Sequence, residues 1–360
     1  MSSRTHAASG NLVPSYGMFT SNDSALALAE SMVGVRDANK SGYLDELQAD
    51  TVQDDLLWNF SNLDDVDNFL VDQQITMSDL LQSSESTTDT SHYLVKISPE
   101  KPLVKQNANL ILEALCAIPE QMLRRQTLPP FIHPHWHLPN MPEPLAVCMD
   151  IALLFSRRTP ATAEFLWRTI LAESKRAVER IPSYTAEGLL AAVQAGMVYV
   201  IMRVVDGPMQ SPEWNQEMTF YQNILCNAFL EMFDGKFCES EAENPSTTWQ
   251  EWIFAESRRR TSCVWFLIAR TIMVKAKPGC PTTEAPWTLP LPSPKTQWEA
   301  RTFEDWLPEI EAGAPAINDF GSLIEARQKW NEPVHARKLD SWNARTDTLG
   351  SLLNIAVSMV

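Results

Sequence analysis

The strongest constraint in this 360-residue sequence is a long stretch that carries acidic residues and no basic ones. Between residues 41 and 95 there is no Lys or Arg, whereas residues 96–360 hold 30 acidic and 26 basic side chains. Most of the net charge of −16 therefore lies in residues 41–95. A segment of such uniform charge repels itself in the compact state, so we expect two physically different regions. The twelve acidic residues are Asp45, Glu46, Asp50, Asp54, Asp55, Asp64, Asp65, Asp67, Asp72, Asp79, Glu85 and Asp89.

Apolar and aromatic side chains are set among these aspartates in residues 54–72, whose sequence is DDLLWNFSNLDDVDNFLVD. Alternation of acidic and apolar residues is typical of a disordered activation segment, which folds on a basic, apolar groove of a partner. An acidic amphipathic helix packed on the chain's own body, or an uninvolved acidic linker, would show a similar pattern. We predict an activation segment over residues 41–95. The apolar residues that we expect to contact the partner are Leu56, Leu57, Trp58, Phe60, Leu63, Phe69 and Leu70.

The sequence after the acidic segment predicts helices. Proline is nearly absent before residue 99 and frequent after it, and strong helical periodicity begins near Pro102. We therefore predict a disordered, acidic N-terminal region over 1–98 and a large, irregular all-α domain over 99–360. Helix starts are indicated at Thr159-Pro160, at Ser211-Pro212 and by a capping box at Thr248-x-x-Glu251. The predicted helices are 104–117, 143–157, 160–180, 185–205, 212–232, 248–276, 296–306, 319–329 and 337–359.

Composition limits the classes of partner and compartment. The six cysteines are widely spaced and include no Cys-x-x-Cys pair, which indicates reduced, buried thiols in an intracellular protein. The apolar run Leu189–Met202 is too short to span a bilayer, so we expect a buried helix and no membrane association. A net charge of −16 opposes strong direct binding to nucleic acid phosphates. The usual catalytic and phosphate-binding motifs are missing, and we expect no enzyme.

Three histidines alternate at His133, His135 and His137 in the sequence FIHPHWHLP. On an extended chain alternating imidazoles point to one side, and imidazole binds zinc or copper well. A metal site needs a fourth ligand, and the sequence nominates none, while Pro134 and Pro139 indicate a rigid connection. We therefore expect structural histidines that bond to backbone carbonyls, and neither a metal nor another cofactor.

One predicted helix carries three consecutive arginines, Arg258, Arg259 and Arg260. Glu256 precedes Arg259 and Arg260 by three and four residues, so ion pairs can form along the helix. Helical spacing puts Arg259 on the side of the apolar residues, whereas Arg258 lies about 100° around the helix and is expected in solvent. We predict a structural ion-pair network of Glu256, Arg259 and Arg260; a pocket for an anionic small molecule is the alternative.

Five segments of the helical region form an ordered succession. They are ILEALCAIPEQMLRRQTLPPFIHPHWH, PEPLAVCMDIALLFSRRTPATAEFLWRTI, LLAAVQAGMVYVIMRVVDG, WQEWIFAESRRRTSCVWFLI and LPLPSPKTQWEARTFEDW. In this order they resemble the regulatory domain, or middle homology region, of fungal zinc-cluster transcription factors. The resemblance covers about residues 100–345, and the succession of segments is more specific than any one of them. It implies an α-helical regulatory domain and a nuclear protein that controls transcription, often of a secondary-metabolite gene cluster.

The chain departs from this family at its N-terminal end. Family members that bind DNA carry a six-cysteine binuclear zinc cluster there, whereas the first cysteine of this sequence is Cys116. Either the chain acts through a DNA-binding partner or it is a shortened gene product, and the acidic segment favours the first. The implied partners are a transcriptional co-activator or a DNA-binding zinc-cluster protein, with homodimers and heterodimers both open. A small-molecule sensor with a pocket near helices 185–205 and 248–276 is the second hypothesis, and a helical biosynthetic enzyme is the third.

Overall fold

Helices are the main regular structure of the part of the chain that a computed structural model describes. That part covers residues 94, 96–134, 140–207, 212–241, 243–272, 286–313 and 315–360. Within it, the strand-like pairings are two isolated antiparallel bridges, Lys96 with Ile272 and Pro290 with Asp319. The prediction of an all-α domain is confirmed. Of the predicted activation segment over residues 41–95, the structure describes Leu94, which is buried, and the residues from Leu56 to Leu70 lie outside the described residues.

The α-helices follow the predicted order along the chain, and several bounds agree with the prediction to within two residues. They are α1 (Pro102–Cys116), α2 (Ile118–Gln121), α3 (Glu143–Ser156), α4 (Ala163–Glu179), α5 (Ala186–Asp206), α6 (Pro212–Met232), α7 (Trp249–Thr271), α8 (Lys295–Trp298), α9 (Phe303–Glu311), α10 (Phe320–Gln328), α11 (Pro333–Arg345) and α12 (Thr348–Ala356).

Two predicted helices are each divided in two. The predicted helix 337–359 is interrupted between α11 and α12, because the backbone of Asp347 is extended and its carboxylate accepts a hydrogen bond from Gly350 N at 3.1 Å. The predicted helix 296–306 is interrupted between α8 and α9, where Thr302 caps α9 by accepting from Asp305 N at 3.2 Å. In both places an N-cap residue starts a new helix. The spacing of the apolar residues continues past this cap, so the sequence pattern alone does not show the break.

Other bounds were also wrong. Helix α11 begins at Pro333 and not at the predicted residue 337, and α9 continues past the predicted end at residue 306 to Glu311. The predicted start at Thr159-Pro160 is a turn, in which Thr162 Oγ1 accepts from Thr159 N at 2.9 Å, and α4 begins at Ala163. The predicted helix 248–276 ends at Thr271, since Ile272 is extended and pairs with Lys96. Residues 273–285 lie outside the described residues.

The apolar helix α5 lies in the core of the body. It is long and apolar enough to cross a membrane, but 83% of its apolar stretch of 18 residues is buried inside the protein. The core helix of a soluble protein can have the same length and apolar composition. Its neighbours include α1, α3, α6 and α7. The prediction of a buried helix over Leu189–Met202 is confirmed.

Helix α7 is also enclosed, although it is far more polar than α5. It begins with the predicted capping box, in which Thr248 Oγ1 accepts from Glu251 N and Glu251 Oε2 accepts from Thr248 N, both at 3.2 Å. Every residue from Glu256 to Ile268 is buried. The helix packs against α1, α5 and α12, and segments from three other parts of the chain bond to its arginines. A helix that is surrounded on all sides needs a bonding partner for each charge it carries.

Candidate functional site

The buried carboxylate of Glu256 is the centre of a network of charged groups on α7. Oε1 accepts from Arg260 Nε and from Ser293 N, both at 2.8 Å. Oε2 accepts from Arg259 Nε at 2.8 Å and from Ser293 Oγ at 2.9 Å. The side chain of Glu256 is fully removed from solvent. Four donors on one buried carboxylate compensate for the water that it lost on folding.

Arg260 joins this centre to two distant parts of the chain. Its Nη1 donates to Asp347 Oδ2 at 2.6 Å and to Pro130 O at 3.1 Å, and its Nη2 donates to Ser293 O at 3.4 Å. The guanidinium also lies over the ring of Trp298, 4.1 Å from its centroid. Burial alone would raise the pKa of Asp347, but the charge of Arg260 and the N–H of Gly350 hold it below its usual value.

Arg259 extends the network in the opposite direction. Its Nη2 donates to Glu241 Oε2 at 3.1 Å, and its Nη1 donates to Glu239 O at 3.2 Å. Burial lowers the pKa of Arg259, but Glu256 and Glu241 outweigh that effect and the pKa is raised. The ion pairs expected from Glu256 to Arg259 and Arg260 are therefore present, in a chain of charges that runs from Glu241 through Glu256 to Asp347.

Arg258 does not lie in solvent, as its helical phase led us to expect. It is 7% exposed, and its guanidinium donates to Phe237 O at 2.7 Å and to Lys236 O at 2.9 Å. The same group lies 4.0 Å from the centroid of the Phe233 ring. Burial lowers the pKa of Arg258. The prediction was wrong because the segment that follows α6 covers the side of α7 that was assumed to be open.

The arrangement favours a structural role for these arginines over a binding pocket. Each nitrogen of the Arg259 and Arg260 guanidinium groups already donates to a protein oxygen. An anionic ligand would have to displace Glu241, Glu256 or Asp347, each of which is held by short, charge-assisted hydrogen bonds. The network instead fixes α7 to the segments around residues 130, 239 and 293 and to the start of α12.

His133 is the one predicted histidine that the structure describes. Its ring is buried, Nε2 lies 3.1 Å from Trp298 O, and the ring packs edge-on against Trp298 with 4.8 Å between centroids. The expected bond between an imidazole and a backbone carbonyl is present. His135 and His137 lie outside the described residues. Among the residues that are described, no group of three or more His, Cys, Asp or Glu could hold a metal ion.

A small cavity lies between α3, α4, α5 and α6, on a different side of α5 from α7. Its lining includes Glu173, Gly196, Tyr199 and Gln222. Its free volume is about 10 Å³, which is room for one water molecule. Metabolite sites are usually 300–1,000 Å³ as a rough range, so this cavity does not fit the predicted small-molecule sensor. Of the helix pair where that pocket was expected, α5 lines this cavity and α7 does not.

Sequence reasoning missed most partners of the arginines. Glu241 lies in a loop rich in acidic residues with no periodic signal, and Ser293 lies in a proline-rich connection. Asp347 carries a local signal, because an Asp three residues before Gly350 can cap a helix, but nothing local connects it to Arg260, 87 positions away. Only the two contacts within α7 could be derived from spacing.

Comparison with protein-family models, with curated proteins and with solved structures finds no match for this chain. The resemblance to the regulatory domain of fungal zinc-cluster transcription factors stays a prediction from the sequence.

Proposed function

We propose that this chain is a nuclear transcriptional regulator or co-regulator, acting on a fungal secondary-metabolite gene cluster. The observation that carries the proposal is the acidic segment over residues 41–95, with twelve acidic side chains, no Lys or Arg, and aromatic residues at Trp58, Phe60 and Phe69. Acidic repulsion keeps such aromatic side chains available to the apolar groove of a co-activator. The resemblance of residues 100–345 to a fungal regulatory domain supports the same function.

The helical body fits a scaffold for protein contacts better than a reaction centre. Its most concentrated charges, on Glu256, Arg259 and Arg260, are used to hold segments of the chain together. We infer that these buried ion pairs favour one arrangement of the segments they connect over others. A regulatory domain needs such a fixed surface to recognise its partner.

Contact with DNA is supplied by another protein or by another segment of the same protein. Residues 96–360 hold 30 acidic and 26 basic side chains, so this part of the chain has no excess of positive charge. Specific DNA binding draws much of its affinity from basic side chains that displace counterions from phosphates. A DNA-binding zinc-cluster protein is the partner that the family resemblance implies.

A reporter experiment tests the activation segment directly. Residues 41–95 are fused to a foreign DNA-binding domain in fungal cells, and reporter output is compared with that of the DNA-binding domain alone. We expect activation, and we expect the triple variant Trp58→Ala, Phe60→Ala, Phe69→Ala to lose most of it, because the aromatic residues supply the apolar contact area.

The matched control changes three nearby polar residues and keeps every charge. Asn59→Ala, Asn62→Ala and Asn68→Ala together are expected to leave reporter output near that of the native segment. Equal output from the aromatic variant and the native segment would contradict the proposal. Protein levels are measured in parallel, so that degradation of a variant is not read as lost activation.

A further inference from the structure

The sequence contains four serine or threonine residues that are followed by proline, and their hydroxyl groups differ in environment. They are Ser98, Thr159, Ser211 and Ser293. One class of proline-directed protein kinases binds an extended substrate with the hydroxyl exposed, accepts proline at the next position, and favours a basic residue three positions after the hydroxyl. Of the four, only Ser98 has a basic residue there, Lys101.

Two of the other hydroxyl groups are already used inside the fold. Ser293 Oγ donates to the buried Glu256 carboxylate at 2.9 Å, and its backbone N–H bonds to the same group at 2.8 Å. The Thr159 hydroxyl is exposed but lies 3.2 Å from Thr162 Oγ1, within the turn that precedes α4. Ser211 lies outside the described residues.

Ser98 has the features that such a kinase requires. Its side chain is exposed, and it lies in a segment without helical structure between residue 96 and α1. Ile97 N donates to Thr271 O at 2.9 Å, and Lys96 pairs with Ile272, so the segment is held against the end of α7. Pro99 disfavours a helical backbone at Ser98 and favours an extended one.

We propose that Ser98 is a phosphorylation site for a proline-directed serine/threonine kinase. In this reaction Ser98 Oγ attacks the γ-phosphorus of a nucleoside triphosphate, and the bond from that phosphorus to the β,γ-bridging oxygen breaks. The catalytic aspartate of the kinase accepts the hydroxyl proton, and the nucleoside diphosphate leaves. Phosphorylation at Ser98 is independent of the proposed transcriptional function.

The modification would act on the start of α1. All residues of α1 are described, and its first turn contains no acidic residue and its N-cap residue, Lys101, makes no side-chain cap. A phosphate on Ser98 places about −1.5 to −2 charges three residues before that N-cap. Negative charge near a helix N-terminus is stabilising. Lys96, Lys101 and Lys105 outnumber the one acidic residue of the same short segment, Glu100, so the added phosphate meets a net positive charge. Helix α1 packs against α7 and α12. Phosphorylation at Ser98 therefore stabilises the N-terminal end of α1 and its packing on these two helices.

The test uses the full purified chain, a proline-directed kinase and ATP, with phosphorylated residues identified by mass spectrometry over time. We expect phosphate on Ser98 before any other residue, and several-fold slower incorporation at Ser98 in the variant Lys101→Ala. Thr159→Ala is the matched control, and it leaves the rate at Ser98 unchanged. Early phosphate on Thr159 or Ser211 with Ser98 unmodified would overturn the proposal, as would an unchanged rate in Lys101→Ala.

A second measurement examines the effect on α1. The Tm of the chain phosphorylated at Ser98 is compared with that of the unmodified chain, at low and at high salt. We expect a higher Tm after phosphorylation and a smaller difference at high salt, because salt screens the charges. A Tm that is unchanged or lower at both salt concentrations would contradict the stabilising effect.

Discussion

Arg260 holds two carboxylates at once, and its removal leaves Asp347 without its counter-charge and Glu256 with Arg259 alone. Glu256 and Asp347 bond to it at 2.8 and 2.6 Å. We expect Arg260→Leu to reduce the free energy of unfolding by about 3–5 kcal/mol, because a buried carboxylate that loses its partner is costly. Urea unfolding of the purified chain measures the change.

An exposed ion pair of the same spacing is the control for this experiment. Arg168 bonds to Glu164 four residues earlier on α4, and both side chains are about two-thirds exposed. Arg168→Leu is expected to cost under about 1 kcal/mol, since exposed pairs contribute little. Equal losses in the two variants would contradict a buried network around Glu256.

Asp347 is expected to make the stability of the chain depend on pH. Its pKa is lower in the folded protein than in the unfolded chain, so its contribution is full above the unfolded value, about 4, and is lost as pH falls through the folded value. Asp347→Asn keeps an oxygen to cap α12 but removes the charge. We expect it to cost about 2 kcal/mol at neutral pH, and we expect the difference from the native chain to shrink below about pH 4.

Asp319→Asn is the matched variant, because Asp319 caps α10 by accepting from Ser322 N at 2.7 Å. The comparison uses Tm at neutral and at acidic pH. A difference between native and Asp347→Asn protein that stays constant over this range would show that the Arg260 ion pair does not determine the titration of Asp347.

At the scale of helices, the contact between α5 and α6 depends on a glycine. A Cβ added at Gly196 would lie 1.9 Å from Gln222 Oε1. Gln222 is buried, and its Nε2 donates to Val193 O at 3.2 Å, so the side chain cannot move away without losing that bond. Gly to Ala within a helix usually stabilises, but here we expect a loss of about 1–3 kcal/mol.

A double-mutant cycle separates this contact from other effects of the substitution. Gln222→Ala removes the side chain that occupies the space above Gly196. In the presence of Gln222→Ala, the change Gly196→Ala is expected to be neutral or stabilising, as in an ordinary helix. Equal costs in the two backgrounds, measured by urea unfolding, would rule out the steric contact.

The helices themselves could largely be predicted from the sequence, because their signals are local. The Thr248 capping box and the apolar phase of α5 need only a few neighbouring residues. The breaks before Thr302 and Asp347 were missed, because the apolar pattern continues across each cap. The buried position of Arg258 was missed for another reason: the carbonyls that satisfy it belong to residues more than 20 positions away. Local periodicity reports which side of a helix is apolar, and it contains no information about which segment covers that side.

For the whole molecule, charge predicts weak DNA binding. The chain has a net charge of −16, and residues 96–360 hold more acidic than basic side chains. We expect the purified chain to bind duplex DNA weakly and without sequence preference at physiological salt. Fluorescence anisotropy with specific and scrambled promoter DNA measures this. A sequence-selective complex with a nanomolar Kd would contradict the prediction and would locate a DNA-reading surface in this chain.

The network around Glu256 also has a consequence for the time course of synthesis. Arg260 leaves the ribosome before Asp347, which is 87 positions later, and chains grow at roughly 5–20 residues per second, so the delay is on the order of 10 seconds. During this interval the guanidinium of Arg260 has only part of its final set of partners, and water supplies the rest. Helix α7 can therefore become fully enclosed only after Asp347 has been synthesised, and the nascent body stays open to chaperones until then.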